Sequence, residues 1–354
     1  MKSLLLTGTL LLSTLGLAAD QPQIKNAKIE QRSASAGLEQ QVRAVGGTAW
    51  IGYSVPVIAG DHNMCCYGWH DGQNQNCCGG CGLEKKSSFF EGKADCQQGQ
   101  LEAAKVFLVF MRVSQGQLEK VRMFSTDCQI DAGGMTVYWL SEVKPTESVA
   151  YLAKLAESST NQGRKDELVD GSIAAIAMHE EGSADQALAK LMTTGHSEHV
   201  MEQATFWAGN ARGSRGYEII AAELERNSDG RFRKHAVFAL SQNSDPRAQK
   251  KLIDMARHDS NSETRGESLF WLAQAAGNKV AGVINAAIED DPNTDVKKKA
   301  VFALSQLPED EGVPLLISQA EKNANPVVRK EAMFWLGQSD DKRAIDFITS
   351  ILER

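Results

Sequence analysis

Ala204-Thr-Phe-Trp-Ala, Ala236-Val-Phe-Ala-Leu, Ser268-Leu-Phe-Trp-Leu, Ala300-Val-Phe-Ala-Leu and Ala332-Met-Phe-Trp-Leu are one phrase written five times, with Phe206, Phe238, Phe270, Phe302 and Phe334 each 32 positions apart. A fixed period of this length marks a solenoid, in which a unit too small to bury its own apolar face stacks on its neighbours. Each unit holds two helical patterns. The first is short, as in Arg233 to Gln242; the second runs from about Asp245 to Arg257 and carries its apolar face through Leu252 and Ala256. At 32-residue steps the second pattern is centred on Leu188, Ile220, Leu252, Ile284, Leu316 and Ile348. Breaking and capping residues separate the units: Asn227-Ser-Asp-Gly, Asp259-Ser-Asn-Ser, Asp291-Pro-Asn-Thr and Asn323-Ala-Asn-Pro. The expectation is an all-α solenoid of about six short units over residues 146–354, with the Phe column aligned through a shared interior.

Within these loops Asp229, Asn261, Asn293 and Asn325 form one column, and four residues on Arg233, Arg265, Lys297 and Arg329 form another. Here the chain resembles the HEAT-repeat family, over roughly residues 164–354, and most nearly the short HEAT-like repeats associated with phycobilisome lyases. The resemblance implies an α-solenoid whose Asp or Asn and following Arg make a hydrogen-bonded ladder between successive helix pairs. It implies nothing firm about activity, because a fold does not fix a function. The tetratricopeptide and ankyrin signatures are missing. Towards the amino-terminal side the pattern decays: the ladder positions hold Ser197 and Met201, and one unit earlier the Phe column holds Ala174. A helix from Thr146 to Ser158, started by Pro145, completes the stack as half a unit.

The first 19 residues read as an export signal: Lys2, an apolar stretch from Leu4 to Leu17, then Ala18 and Ala19. The stretch is shorter than the roughly 20 residues a bilayer-spanning helix needs, so no integral membrane segment is expected in the mature chain. Residues 20–45 read as a linker or poorly ordered segment. Residues 46–145 read as a small, disulfide-rich α+β domain, because Cys65, Cys66, Cys77, Cys78, Cys81, Cys96 and Cys128 all fall there and none falls among the repeats. Export makes disulfides the leading reading, with one cysteine left unpaired. Strands are expected at Ala49 to Val55, Lys105 to Val113, Leu118 to Ser125 and Met135 to Leu140, the middle two forming a hairpin around Ser114-Gln-Gly-Gln. An antiparallel sheet is the expected product.

The formal charge is −7, and the repeats carry it: between residues 20 and 145 there are 12 basic against 13 acidic side chains, and beyond 145 there are 25 against 32. An acidic solenoid repels phosphate backbones, so nucleic acid is not an expected partner. No Walker-type loop occurs, and Pro56 breaks the nucleophile-elbow pattern around Ser54. His179-Glu180 begins a metalloprotease motif that Ser183 ends. The deoxyhypusine hydroxylases among HEAT-repeat enzymes bind iron through several His-Glu pairs, and this chain has one. His196 and His199 read as a solvated loop.

Among the repeats, Trp207, Trp271 and Trp335 alternate with Ala239 and Ala303, and Gln242, Gln274, Gln306 and Gln338 form an amide column. Packing of large against small explains the first and a ladder between units the second. As a binding surface, the three indoles with Arg233, Arg265, Lys297 and Arg329 are the candidates, and Lys234, Lys298, Lys299 and Lys330 add a stripe suited to an anionic partner. The function expected is therefore a non-catalytic, exported protein-binding scaffold, periplasmic or secreted, without cofactor, whose partner protein and oligomeric state stay open. The alternative is thiol-redox or metal chemistry around His62, Cys65, Cys66, His70, Cys78 and Cys81.

Overall fold

The computed structural model describes residues 22–60, 81–84, 105–126, 128–158, 167–193 and 195–353. The expected signal peptide lies outside the described residues, as do Cys65, Cys66, Cys77, Cys78, Cys96, His62 and His70.

The amino-terminal part is built on strands β1 (Ile24–Lys25), β2 (Lys28–Ser33), β3 (Thr48–Pro56), β4 (Cys81–Gly82), β5 (Val106–Ser114), β6 (Gln117–Ser125), β7 (Ile130–Asp131) and β8 (Thr136–Ser141), with helix α1 (Leu38–Arg43) between β2 and β3. Five strands make one sheet in the order β2-β8-β3-β5-β6. The hairpin of β5 and β6 turns through Gln115 (φ 50) and Gly116 (φ 72), the two left-handed residues that a tight hairpin requires. Two expectations are corrected here. The sheet is mixed and not antiparallel throughout, since β2 runs parallel to β8 and β8 parallel to β3. Residues 22–45, within the segment read as a linker or poorly ordered, supply β1, β2 and α1. β2 escapes a hydrophobicity reading because it is an edge strand with no buried residue in Lys-Ile-Glu-Gln-Arg-Ser, so backbone pairing to β8 defines it.

Alternation along β3 sorts the sheet into two faces. Ile51, Tyr53 and Val55 meet α1 and the helices that follow, whereas Trp50 packs with Leu108, Phe110, Phe124 and Trp139 on the other side. Gly52 makes that second face possible. A Cβ there would stand 2.8 Å from both Phe110 and Trp139, so the missing side chain is the room the two rings occupy. A small parallel sheet, β1-β7-β4, covers this face with Leu83, Cys128 and Ile130.

Helix α2 (Pro145–Glu157) then leads into six helix pairs: α3 (Glu167–Met178) with α4 (Gly182–Leu191), α5 (Glu198–Ala211) with α6 (Gly213–Arg226), α7 (Gly230–Ser241) with α8 (Pro246–His258), α9 (Ser262–Ala276) with α10 (Ala281–Asp290), α11 (Thr294–Ser305) with α12 (Glu309–Lys322), and α13 (Pro326–Leu336) with α14 (Lys342–Leu352). The interior is lined by positions at helical spacing: Val200, Phe232, Val296 and Val328, then Ala204, Ala236, Ser268, Ala300 and Ala332, then Ala208, Leu240, Leu272, Leu304 and Leu336, all buried. The second helices add Leu188, Ile220, Leu252, Ile284 and Leu316. Each such aliphatic side chain contributes about 1.5–3 kcal/mol when fully buried. Small residues at 204, 236, 268, 300 and 332 let the helices approach closely.

Sheet and stack share one core, which runs unbroken from Ala34 to Ala344. Helix α3 lies directly on β6, where a Cβ on Gly171 would run into the Val121 carbonyl, and Lys120 of β6 pairs with Glu167 at the helix start. At this junction Tyr53 Oη and Ser148 Oγ are 2.8 Å apart, and Ser148 Oγ lies 2.9 Å from His179 Nε2. All three side chains are completely buried. The sheet thus closes the end of the solenoid that the decaying repeat leaves open, with α2 packed on α3 and α4.

Candidate protein-interaction face

The stack has two unequal layers. The first helices α5, α7, α9, α11 and α13 pack closely on one another, whereas successive second helices barely touch. The layer with the closer spacing is the inside of the bend, so the first helices form the concave face.

The loops between units set the orientation of those helices. Asp229, Asn293 and Asn325 cap α7, α11 and α13 by accepting the N–H groups of Arg231, Asp295 and Val327, and Asn261 likewise accepts from Glu263. The partners of the basic column stand two residues earlier. Arg233 donates to Asp259 (Nε to Oδ2, 2.9 Å) and to the Leu224 and Asn227 carbonyls. Arg265 donates to Asp291 (2.7 and 3.0 Å) and to the Asp259 carbonyl at 2.8 Å. Asp259 and Asp291 also accept the N–H groups of Asn261 and Asn293. The Asp and Asn column of the sequence therefore caps helices, and the rungs run between Arg and the Asp of the following loop. Lys297 donates to the Ile288 and Glu289 carbonyls and Arg329 to those of Asn323 and Ala324. All four basic side chains hold loops together.

The Phe column runs in line, but not through the interior. Phe206, Phe238, Phe270 and Phe302 are half-buried on the concave face, and Phe334 at the end of the row is 54% exposed. Phe206 stacks on Phe238 (centroids 5.9 Å, planes at 14°), and Phe270 on Phe302 (5.6 Å, 6°). The indoles bridge the remaining steps. Trp271 reaches back to Phe238 at 4.5 Å and Trp335 to Phe302 at 4.7 Å, each also touching the Phe of its own helix. Ala239 and Ala303, next in sequence to those phenylalanines, are completely buried, and Ala239 faces Gly209 of α5. The result is a continuous ladder of eight rings from Trp207 to Phe334. The two Phe–Phe contacts are stacked, whereas the five contacts that involve an indole are tilted or edge-to-face, both geometries that aromatic pairs favour.

Charged side chains flank the ladder one helical turn nearer the helix starts. Lys299 pairs with Glu267 at 3.1 Å, and Glu331 accepts the Trp335 indole N–H at 3.1 Å. Between α9, α11 and α13 a groove of about 610 Å³ opens, floored by Phe302 and Trp335 and flanked by Lys298, Lys299, Glu263 and Asp295. Burial lowers the pKa of the half-buried His235, against the pull of Glu202 and Glu198. The amide column forms one rung between units, Gln274 to Gln306 at 3.3 Å, while Gln242 and Gln306 each bond a serine of their own helix.

The remaining sequence candidates separate. His179 is buried against Phe107, its ring nitrogens held by Ala175 O and Ser148, and Glu180 beside it is exposed, so the pair does not converge on one point. His199 is no solvated loop residue: its Nε2 lies 2.5 Å from Asp170 of α3. Cys128 is buried with its Sγ 3.5 Å from Ser125 Oγ, and Cys81 lies on β4. Among the described residues no cluster of three or more His, Cys, Asp or Glu is placed to hold a metal, and no helix is long and apolar enough to cross a membrane.

Residues 280–354 match the family described as HEAT repeats. The resemblance read from the loop columns is thus shown on the last units, and the same helix pair recurs through the stack. No curated protein matches the chain. Among solved structures, human deoxyhypusine hydroxylase in complex with glycerol is similar at 15% identity, with 59% of this chain and 80% of that chain covered and a TM-score of 0.30.

Proposed function

We propose that the HEAT-like stack works as a non-catalytic scaffold that grips a partner protein along its concave face, and that the protein does so after export, in the periplasm or outside the cell. The observation that carries this reading is the ring ladder: eight aromatic side chains form an uninterrupted strip on an open face. Buried cores do not need their largest rings half-exposed, and contact surfaces are enriched in them. The sheet closes one end of the stack on α3, and the Arg–Asp rungs tie successive units, which pre-forms the face before a partner arrives. Rigidity lowers the ordering cost of association.

The test is photo-cross-linking in the whole chain. A benzophenone amino acid replaces Phe238 or Phe302 on the ladder, or Gln249 or Lys250 on the exposed side of α8. Adducts with one partner from the ladder positions, and none from α8, are the expected result. Adducts from α8 alone overturn the reading.

A further inference from the structure

Beside the ladder, one turn before Phe238, Phe302 and Phe334, stand Lys234, Lys298 and Lys330. Lys234 and Lys330 are exposed and Lys298 is half-buried. Among the described residues none of the three has an ion-pair partner, although the neighbouring carboxylates Glu267 and Glu331 are both engaged, with Lys299 and the Trp335 indole. The row skips one helix. In α9 its place is taken by Gly266, where a Cβ would collide with the stem of Lys299 on its way to Glu267. Three unmatched ammonium groups thus line the aromatic ladder in a stack whose overall charge is negative.

Resting on the protein-binding reading above, we infer that this strip takes an extended acidic segment of the partner, with carboxylates spaced to the helices and an apolar residue at the gap. The spacing follows from geometry. Neighbouring helices pack about 8–10 Å apart, and a polyproline II segment advances about 3.1 Å per residue, so each helix step takes about three residues. Carboxylates six residues apart meet Lys234 and Lys298, and another three residues on meets Lys330. The residue opposite Gly266 meets the stem of Lys299, whose charge Glu267 already takes, and finds no free cation there. A protein segment fits better than a nucleic acid, because Glu263 and Asp295 stand on the rim of the same groove and repel the unbroken phosphate row that a strand would lay there.

The probe is a fluorescein-labelled, proline-rich twelve-residue peptide with glutamate at its first, seventh and tenth positions and leucine at the fourth, titrated into the whole protein by anisotropy. Its control has the same composition with the three glutamates adjacent. The spaced peptide is expected to bind about tenfold more tightly than the control and to lose about tenfold in Lys298→Glu/Lys330→Glu, with Lys250→Glu on α8 unchanged and circular dichroism confirming both folds. Equal binding of the two peptides, an unaffected double variant, no saturation below about 1 mM, or tighter binding of a single-stranded oligonucleotide each overturns the inference. Cross-linking then separates the two readings: if adducts at Phe238 and Phe302 survive in Lys298→Glu/Lys330→Glu, the acidic segment falls and the protein-binding face stands, whereas absent adducts in the parent chain remove both.

Discussion

Replacing Arg265 by alanine removes the best-formed rung between units. Its guanidinium makes two bonds to Asp291 at 2.7 and 3.0 Å and a third to the Asp259 carbonyl at 2.8 Å, with side-chain exposures of 11% for Arg265 and 5% for Asp291. Without the cation a carboxylate stays in a site closed to water, and breaking one half of such a pair costs about 3–5 kcal/mol. Lys297 lies close enough to act on Asp291, which places the expected loss near 3 kcal/mol. Burial pushes the Asp291 carboxyl up, but the Arg265 bonds, the Asn293 N–H and the charges of Arg265 and Lys297 outweigh it and hold the pKa below the ordinary carboxylate range. A depressed folded-state pKa contributes stability above the unfolded value, and that contribution disappears as pH falls through the folded one. The parent and Arg265→Ala should therefore differ most at neutral pH and converge in acid. Urea denaturation followed by far-ultraviolet circular dichroism over a pH series measures both. Arg265→Ala/Asp291→Ala should lose less than the two single changes together, since no stranded charge remains. A loss under about 1 kcal/mol at neutral pH, or one that persists undiminished in acid, refutes the reasoning.

Gly171→Ala puts a methyl group onto the Val121 carbonyl of β6, a backbone atom that cannot step aside. A loss of about 1–3 kcal/mol is expected in urea unfolding, while Gly182→Ala, whose nearest neighbour is 3.9 Å away, should cost little. Ser148→Ala leaves Tyr53 Oη and His179 Nε2 short of a buried partner, for about 2–4 kcal/mol in the same assay. Burial lowers the His179 pKa to about 4. Because the unfolded chain takes up the proton first, stability should fall by about 3 kcal/mol as pH drops from about 6.5 to 4, and His179→Gln should remove that slope.

The solenoid was legible because its signals repeat. Six units, their two helices and the interior columns can all be counted from the spacing of Leu, Ile and Ala, since each position meets the same neighbour in every unit. Phe206, Phe238, Phe270, Phe302 and Phe334 misled on one point: a strictly periodic aromatic reads as interior, yet periodicity reports equivalent surroundings and says nothing of depth. Asp259 and Asp291 do not stand out as rungs in the sequence because Asn227 and Asn323 break their column, while the capping residues beside them vary less. β2 gave no hydrophobic signal, being an edge. The unmatched lysines could be read as a stripe, but only coordinates show that Lys299 and Glu267 pair and leave Lys298 alone. The cysteine cluster, apart from Cys81 and Cys128, lies outside the described residues.

Hydroxyl-radical footprinting of the whole protein, free and with the partner recovered by cross-linking, tests the central claim most directly. Oxidation of Trp271, Trp335 and Phe334 should drop in the complex while that of Tyr217 on α6 and Phe347 on α14 stays as it was. Protection confined to Tyr217 and Phe347, with the ladder still reactive, would contradict the account.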